Sequence, residues 1–360
     1  MKLHVKKLAL LIPGHNEELV IEHTIRSALK AGQNKRDIYV VSDGSTDATS
    51  IIAAEILGDR NVLGVERSGK AGAVRQAVNH FDIINKYQWM HVADADSLFD
   101  PTYFKLLKAK LDPDRYVAAS GYVQSLPGGL ISLFRVYEYT WANSIIRRIQ
   151  AKLGIITVIP GPTSVLRTDV IDKLNFETGS LTEDFDITLQ IHRFKLGKIQ
   201  FIPAAKTYTQ DPRTFRDFLT QITRWYRGYF QGVRSYGIGR SFTRIDTYMS
   251  AIMLQTVLYG LELLVMLPLL FGYTHNVTTI SVFFLSEILI YFLITLGCAI
   301  TAKRLDIMFA FPVFYVLRLV NLYIFFQAFF EVILFRGFHA HSVGWSTAGR
   351  RYAISPETVK

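Results

Sequence analysis

The chain is nearly without cysteine. Its single one, Cys298, lies inside an apolar run, so neither an intrachain disulfide nor a thiolate metal cluster can form. The remainder suits a reducing compartment. Long apolar runs are missing from residues 1–245, which read as an ordinary globular mix in which no membrane span is expected. The basic start, Met1–Lys7, resembles the opening of a signal peptide, but the apolar run behind it ends at Pro13-Gly14 and is too short for one. Leu8–Ile12 is read instead as a buried strand. Acidic residues are the minority, 30 against 40 Lys and Arg, a net charge of +10. That charge is scattered and half the 360 residues are apolar, a pattern that argues against nucleic-acid binding. Anionic membrane lipid and phosphate-bearing ligands are the partners it suits.

The apolar residues are concentrated at 248–335, rich in Leu, Ile, Val and Phe. Met249–Phe271 and Ile280–Thr301 are each long enough to cross hydrocarbon, which takes about 20 residues. The loop between them, Gly272–Thr279, lacks Lys and Arg, whereas the next carries Lys303 and Arg304. The excess of positive charge on the inner side then places the head and that second loop in the cytoplasm, in a multi-pass plasma-membrane protein. The third segment, Ile307–Phe335, holds Pro312, Arg318, Asn321, Gln327 and Glu331. It reads as a single crossing, an interfacial helix plus a span, or a re-entrant pair. The expected division is a head at 1–245 with an interfacial helix near 212–235, a membrane part at 246–336 with two to four segments, and a tail at 337–360.

Within the head, β-rich runs alternate with helical patterns. Strands are predicted at Lys7–Ile12, Ile38–Ser42, Asn61–Val65 and Trp89–Ala93. Helices are predicted at Glu17–Ala31, Thr46–Ile56, Ala71–Phe81 and Pro101–Leu111. This is the signature of an α/β fold: a mostly parallel sheet with helices on both faces. Ligands of such sheets sit beyond the C-terminal strand ends. Further on, Leu130–Leu153 is a long amphipathic stretch, Leu181–Lys195 a helix with an acidic first turn, and Thr214–Gly232 an aromatic and basic helix, either of interfacial type or the wall of a substrate channel.

Four acidic or polar signals stand out. Asp43, in D-G-S-T-D, follows a strand; it is either part of a turn capped by Thr46 or Asp47, or an acceptor for a base edge or ribose. Asp94-Ala95-Asp96 follows the next strand, either as a solvated turn or as ligands for Mg2+ or Mn2+ whose shell phosphate oxygens complete. Asp184 lies in L-T-E-D-F-D, where Thr182 would cap a helix favoured by the acids Glu183, Asp184 and Asp186, or where one acid would be a general base. Gln221-x-x-Arg224-Trp225 is either an amphipathic face, or a flat surface for a sugar ring beside a planar fork for phosphate. Lys70 would meet phosphate or base, or simply start a helix.

Taken together, D, D-x-D, T-E-D and Q-x-x-R-W resemble the processive branch of the family 2 inverting glycosyltransferases, which includes synthases of cellulose, hyaluronan, chitin and poly-N-acetylglucosamine. The resemblance covers roughly residues 7–232 and, more loosely, the membrane tail. It implies a GT-A (nucleotide-diphospho-sugar transferase) fold, a UDP-sugar donor and a divalent metal. Carried onto this chain, it puts Asp43 on uracil, Asp94 on ribose or base, Asp96 on the metal and Asp184 as base. Gln221, Arg224 and Trp225 would shape the acceptor end and the diphosphate, with Glu183 beside them. Pro13, His15, Glu17 and Lys70 would line the nucleotide. Gly161-Pro162, with Thr163, Ser164 and Arg167, would stand beside the acceptor terminus. His15 stands where the family more often has an aromatic residue. No membrane helix is expected ahead of the head, and few follow it. His341–Trp345 loosely matches a loop that covers the nucleotide in relatives.

The acceptor is open between a β-linked polysaccharide and a lipid carrier or glycolipid. The motif Q-x-x-R-W leans to the first and the short membrane part to the second. A homo-oligomer is compatible with either. A non-catalytic transporter or scaffold is the rival of another class, since Glu262, Glu287, Arg318 and Glu331 would suit a polar pathway unless they pair with one another.

Overall fold

A computed structural model describes residues 7–126, 128–274 and 277–335. The tail read as a nucleotide cover, His341–Trp345, lies outside the described residues.

Eight strands form one sheet in the order β3-β2-β1-β4-β7-β6-β8-β5. They are β1 (Leu8–Gly14), β2 (Ile38–Asp43), β3 (Val62–Val65), β4 (Trp89–Val92), β5 (Leu98–Phe99), β6 (Tyr116–Ser125), β7 (Ser164–Arg167) and β8 (Lys198–Thr209). The half formed by β3, β2, β1 and β4 is parallel throughout. The other half is mixed: β7 runs antiparallel to β4 and β6, and β5 to β8, while β6 and β8 are parallel. The expected mostly parallel sheet is found, with four of the seven strand pairings parallel, and the antiparallel ones all fall at β5 and β7. A short apolar run such as Ser164–Arg167 specifies a strand but not its direction, which the connection before it decides.

Both faces are covered. Leu8, Leu10 and Ile12 pack against α1 (Ile21–Lys30), α2 (Thr49–Leu57) and α5 (Tyr103–Lys110). Ala9 and Leu11 pack, on the other face, with α3 (Gly69–His80), α4 (Ile83–Lys86) and α8 (Glu183–Arg193). Because the strands alternate their side chains and both faces are dry, their sequences read as nearly continuous apolar runs.

The amphipathic stretch of Leu130–Leu153 is α6 (Leu130–Trp141), a π-helical turn (Ala142–Ile146) and α7 (Arg147–Leu153). The predicted interfacial helix is α9 (Phe215–Ser235), started by Thr214, whose hydroxyl accepts from the Asp217 amide. Beyond it come α10 (Arg244–Leu261), α11 (Leu267–Thr274), α12 (Val277–Ala302) and α13 (Phe311–Phe329). Among the described residues, three helical runs are long and apolar enough to cross a membrane: Arg244–Val265, Ser281–Ala302 and Leu305–Leu334.

The α/β part and the C-terminal apolar helices share packing. Phe134 and Tyr137 of α6 meet Phe314 and Tyr291 of the apolar helices. Phe230 of α9 lies 5.0 Å from Phe325 of α13. Three of the charges named in the apolar segments are paired: Glu331 with Arg227 of α9 at 2.7 Å, and Glu287 with Arg318. Glu287 also accepts from Tyr259 at 2.8 Å and from Tyr315 at 2.6 Å. Four polar side chains from α10, α12 and α13 thus satisfy one another where no water would.

Candidate active site

The segment after β4, the ends of β6 and β8, and the helices α6, α8 and α9 enclose a cavity of about 550 Å³. Lys70, Asp94, Asp96, Gly161, Pro162, Glu183, Asp184, Gln221, Arg224 and Trp225 all line it. Residues up to 251 positions apart in the chain, Lys70 and Asn321 at the extremes, therefore share one space. Its size is that of a site for a small organic ligand.

Lys70 opens α3 at the centre of this wall. Its Nζ donates to Asp94 Oδ1 at 2.5 Å and lies 2.6 Å from Glu183 Oε1. Burial works against its charge, but the two carboxylates outweigh that and hold the ammonium well above the usual lysine range. One cation thus joins the strand-end acid of β4 to the first turn of α8. Gly161 fits against the same acid: a Cβ there would lie 2.6 Å from Asp94 Oδ2. Only glycine allows the Gly161-Pro162 backbone so close to Asp94. Beneath it, the buried His91 ring sits 3.2 Å from the Pro162 carbonyl, and burial lowers its pKa to about 4, so the ring is neutral.

Asp184 stands at the start of α8. Oδ2 accepts from the Gly161 amide at 3.3 Å and Oδ1 from the Phe185 amide at 2.8 Å. Its pKa is raised to about 6, mainly by burial and next by the neighbouring Glu183 charge, with Lys70 opposing. A carboxyl group tuned toward neutrality and open to a cavity is suited to take a proton. Thr182 does occupy the cap position of α8, but its side chain makes no capping bond. It is pressed instead against α9, where a Cβ on Gly228 would fall 2.3 Å from Thr182 Oγ1.

The helix α9 clamps this segment. Arg224 donates to the Leu181 carbonyl at 3.0 Å, and Gln231 accepts from the Leu181 amide at 3.1 Å. Arg224 is thereby joined to the T-E-D turn while it lines the cavity. Trp225 is half-buried, its ring face covered on one side by the guanidinium of Arg135, 4.7 Å from the ring centre.

Asp43, His15, Pro13 and Glu17 do not line the cavity; they form the layer behind Lys70. Asp43 ends β2 and is 2 % exposed. Its carboxylate accepts from Arg67 at 2.8 Å and from the Ser68 amide at 2.6 Å, two residues before Lys70. His15 Nδ1 lies 2.8 Å from the Asp43 carbonyl, and the Glu17 amide donates to Thr49 at 2.8 Å. Pro13 is buried within β1. The helix α2 behind them is started by Asp47, whose carboxylate accepts from the Thr49 amide at 3.0 Å. Arg167 lies away from the cavity, bound to Asp169 and to the Pro113 carbonyl.

Three cavity residues carried no signal in sequence. Arg135 of α6 is 1 % exposed and donates to Gln221 and Glu138, each at 2.6 Å. Asp211 accepts from Ser132 at 3.0 Å and is pushed to about 7 by burial, with Arg135 opposing. Arg147 begins α7. A helix pattern shows that such residues share a face; it does not show that the face meets a cavity.

Among the described residues no group of three His, Cys, Asp or Glu side chains could hold a metal ion by itself. Asp94 and Asp96 nevertheless present hard carboxylate oxygens on the cavity wall. This fits a cation such as Mg2+ or Mn2+, which commonly takes one or two carboxylates and completes its shell with phosphate oxygens and water.

The sheet and the cavity at its strand ends define a nucleotide-sugar transferase fold. The chain belongs to the glycosyltransferase-like family 2, whose profile matches residues 6–228. A poly-beta-1,6-N-acetyl-D-glucosamine synthase of Staphylococcus aureus is 24% identical over 227 residues, covering 61% of this chain and 54% of the relative. The chain spans about half the length of the curated relatives it matches. The mannosyltransferase PcManGT of Pyrobaculum calidifontis, solved with GDP-Man and Mn2+, superposes with a TM-score of 0.59 at 16% identity, covering 85% of this chain and 86% of that one. The fold is GT-A, followed by apolar helices that could span a membrane.

Proposed function

We propose that this protein is a membrane-bound inverting glycosyltransferase that moves a sugar from a UDP-sugar to an acceptor hydroxyl in β linkage. UDP-N-acetylglucosamine and UDP-glucose are the first donors to try. The observation that carries the reading is the placement of Asp184 in the same cavity as Lys70, Asp94, Asp96 and Trp225. The acceptor oxygen attacks the anomeric carbon as the bond to the diphosphate oxygen breaks; the acceptor proton passes to Asp184, and UDP leaves. Lys70 and Arg224 face the departing diphosphate, and Trp225 offers a ring on which a sugar stacks. A Mg2+ or Mn2+ ion held at Asp96, with Asp94 beside it, would supply Lewis-acid stabilisation of the leaving charge. Most of the rate gain comes from positioning and fixed charge. The head faces the cytoplasm and the apolar helices lie in the plasma membrane.

The principal acceptor reading is a growing polysaccharide, supported by the similarity to a polymer synthase. A lipid-linked acceptor is the second, favoured by Asn321: this residue of the membrane helix α13 lines the same cavity. The test is to incubate purified protein with a panel of UDP-sugars and Mn2+, follow UDP release, and size the labelled product. Absence of metal-dependent UDP release with every donor would overturn the reading. An Asp184→Asn variant should lose transfer and keep UDP binding; normal turnover by it would remove Asp184 from the role of base.

A further inference from the structure

One cation in the cavity wall has no anionic partner. Arg147 is 7 % exposed and lines the cavity, yet no carboxylate lies within ion-pair distance of it among the described residues. Its one described hydrogen-bond acceptor is the neutral amide oxygen of Asn143, at 2.7 Å. Lys70 of the same wall, by contrast, has two carboxylates, and Arg135 has Glu138. Burying a guanidinium without a counter-charge is costly, and such a group is retained where a ligand supplies the missing charge.

The backbone holds this arginine in place. The π-helical turn Ala142–Ile146 immediately precedes it. Turns of this kind rephase a helix and recur at functional sites. Asn143 sits inside that turn and is itself fixed, donating to the carbonyls of Val123 at 3.1 Å and Tyr139 at 2.7 Å. A rigid amide therefore orients the guanidinium.

Arg147 and Lys70 reach the cavity from different elements. Lys70 enters from α3 and is held by Asp94 and Glu183, whereas Arg147 enters from α7 and is held through Asn143, which is fixed on the Val123 carbonyl of β6.

We propose that Arg147, oriented by Asn143, is a binding residue for an anionic group carried by the acceptor, of the chemical class of a lipid-linked phosphate. The guanidinium fork matches phosphate oxygens, and the cavity extends to Asn321 of a membrane helix, from which a lipid would enter. This rests on the reading of the cavity as a glycosyl-transfer site and deepens its acceptor half, choosing the lipid-linked class over a neutral glycan end.

The experiment titrates the full-length protein in detergent, with UDP and Mn2+ present, with farnesyl phosphate and with farnesol. The wild type should bind the phosphate at least tenfold more tightly than the alcohol, and Arg147→Gln should lose that preference while its UDP affinity stays within twofold. Arg147→Lys should keep part of it. Equal wild-type affinity for phosphate and alcohol overturns the proposal whatever the variants do. So does a preserved preference in Arg147→Gln. A parallel fall in UDP affinity would assign the arginine to the donor diphosphate, and displacement by equimolar inorganic phosphate would assign it to free phosphate; either outcome also overturns it. UDP binding and metal-dependent UDP release by the wild type test the glycosyltransferase reading separately, so its failure would be seen apart from this one.

Discussion

Arg135 Nη2 donates to Gln221 Oε1 at 2.6 Å, joining the helix after β6 to the helix that carries Q-x-x-R-W. The same guanidinium stacks on Trp225 and is paired with Glu138, whose other oxygen accepts from Asn321 of α13 at 3.0 Å. A line of polar contacts therefore runs from a membrane helix to the ring proposed to hold the sugar.

Removing one partner of such a buried pair costs about 3–5 kcal/mol, because the other charge is left uncompensated. Arg135→Met should therefore lower transfer by about two orders of magnitude through misplacement of Gln221 and Trp225, with the larger change in acceptor KM. Intrinsic tryptophan emission should shift as the guanidinium leaves the Trp225 face. Unchanged acceptor KM in a folded variant would show that Arg135 does not position the motif.

The pKa of Asp184, raised to about 6, makes a pH prediction. The base works as carboxylate, and its charged fraction grows as pH rises. Transfer should climb roughly tenfold per pH unit below 6 and level off above it. Lys70 opposes the upward shift, so Lys70→Gln should move the acidic limb to higher pH and weaken donor binding. A profile flat from pH 4 to 8 at saturating substrates would contradict the assignment.

Gly228 is confined by Thr182. Gly228→Ala would place a Cβ 2.3 Å from Oγ1 and 2.7 Å from Cγ2 of Thr182, forcing α9 away from the T-E-D turn. Overpacking of this kind costs about 1–3 kcal/mol. Activity and melting temperature should both fall. Thr182→Ala in the same chain should restore part of each, and a double-mutant cycle measures the coupling. Purely additive losses would mean the two residues do not press on each other.

The Glu287–Arg318 pair makes a prediction for the membrane part. Arg318→Leu alone leaves Glu287 without its counter-charge among apolar helices and should lower the melting temperature in detergent more than the double variant Glu287→Leu, Arg318→Leu does. If the single and double variants melt alike, the pair is not a matched charge. Loss of transfer in a thermally intact double variant would indicate a part in function beyond packing.

Much of this was legible in sequence. Apolar runs alternating with 3.6-residue periodicity announced a two-sided sheet, because strands buried on both faces and helices buried on one leave different local patterns. The apolar stretches after residue 248 announced helices long enough to cross a membrane. Asp94, Asp96 and Asp184 were conspicuous as acids at element ends. Thr182 was legible as a cap position, yet its buried hydroxyl makes no hydrogen bond and packs instead against Gly228, 46 positions away.

By itself, then, the sequence determined the types of the longer elements, the order of the acids and the concentration of apolar residues after position 248, since each is a property of neighbouring residues. Tertiary structure alone decided the direction of β7, the binding of Asp43 by Arg67 and Ser68, and the place of Arg135 and Arg147 in the cavity wall. These depend on contacts such as Arg135 to Gln221, 86 positions apart, and a local pattern shows which face a side chain occupies but not what that face will meet.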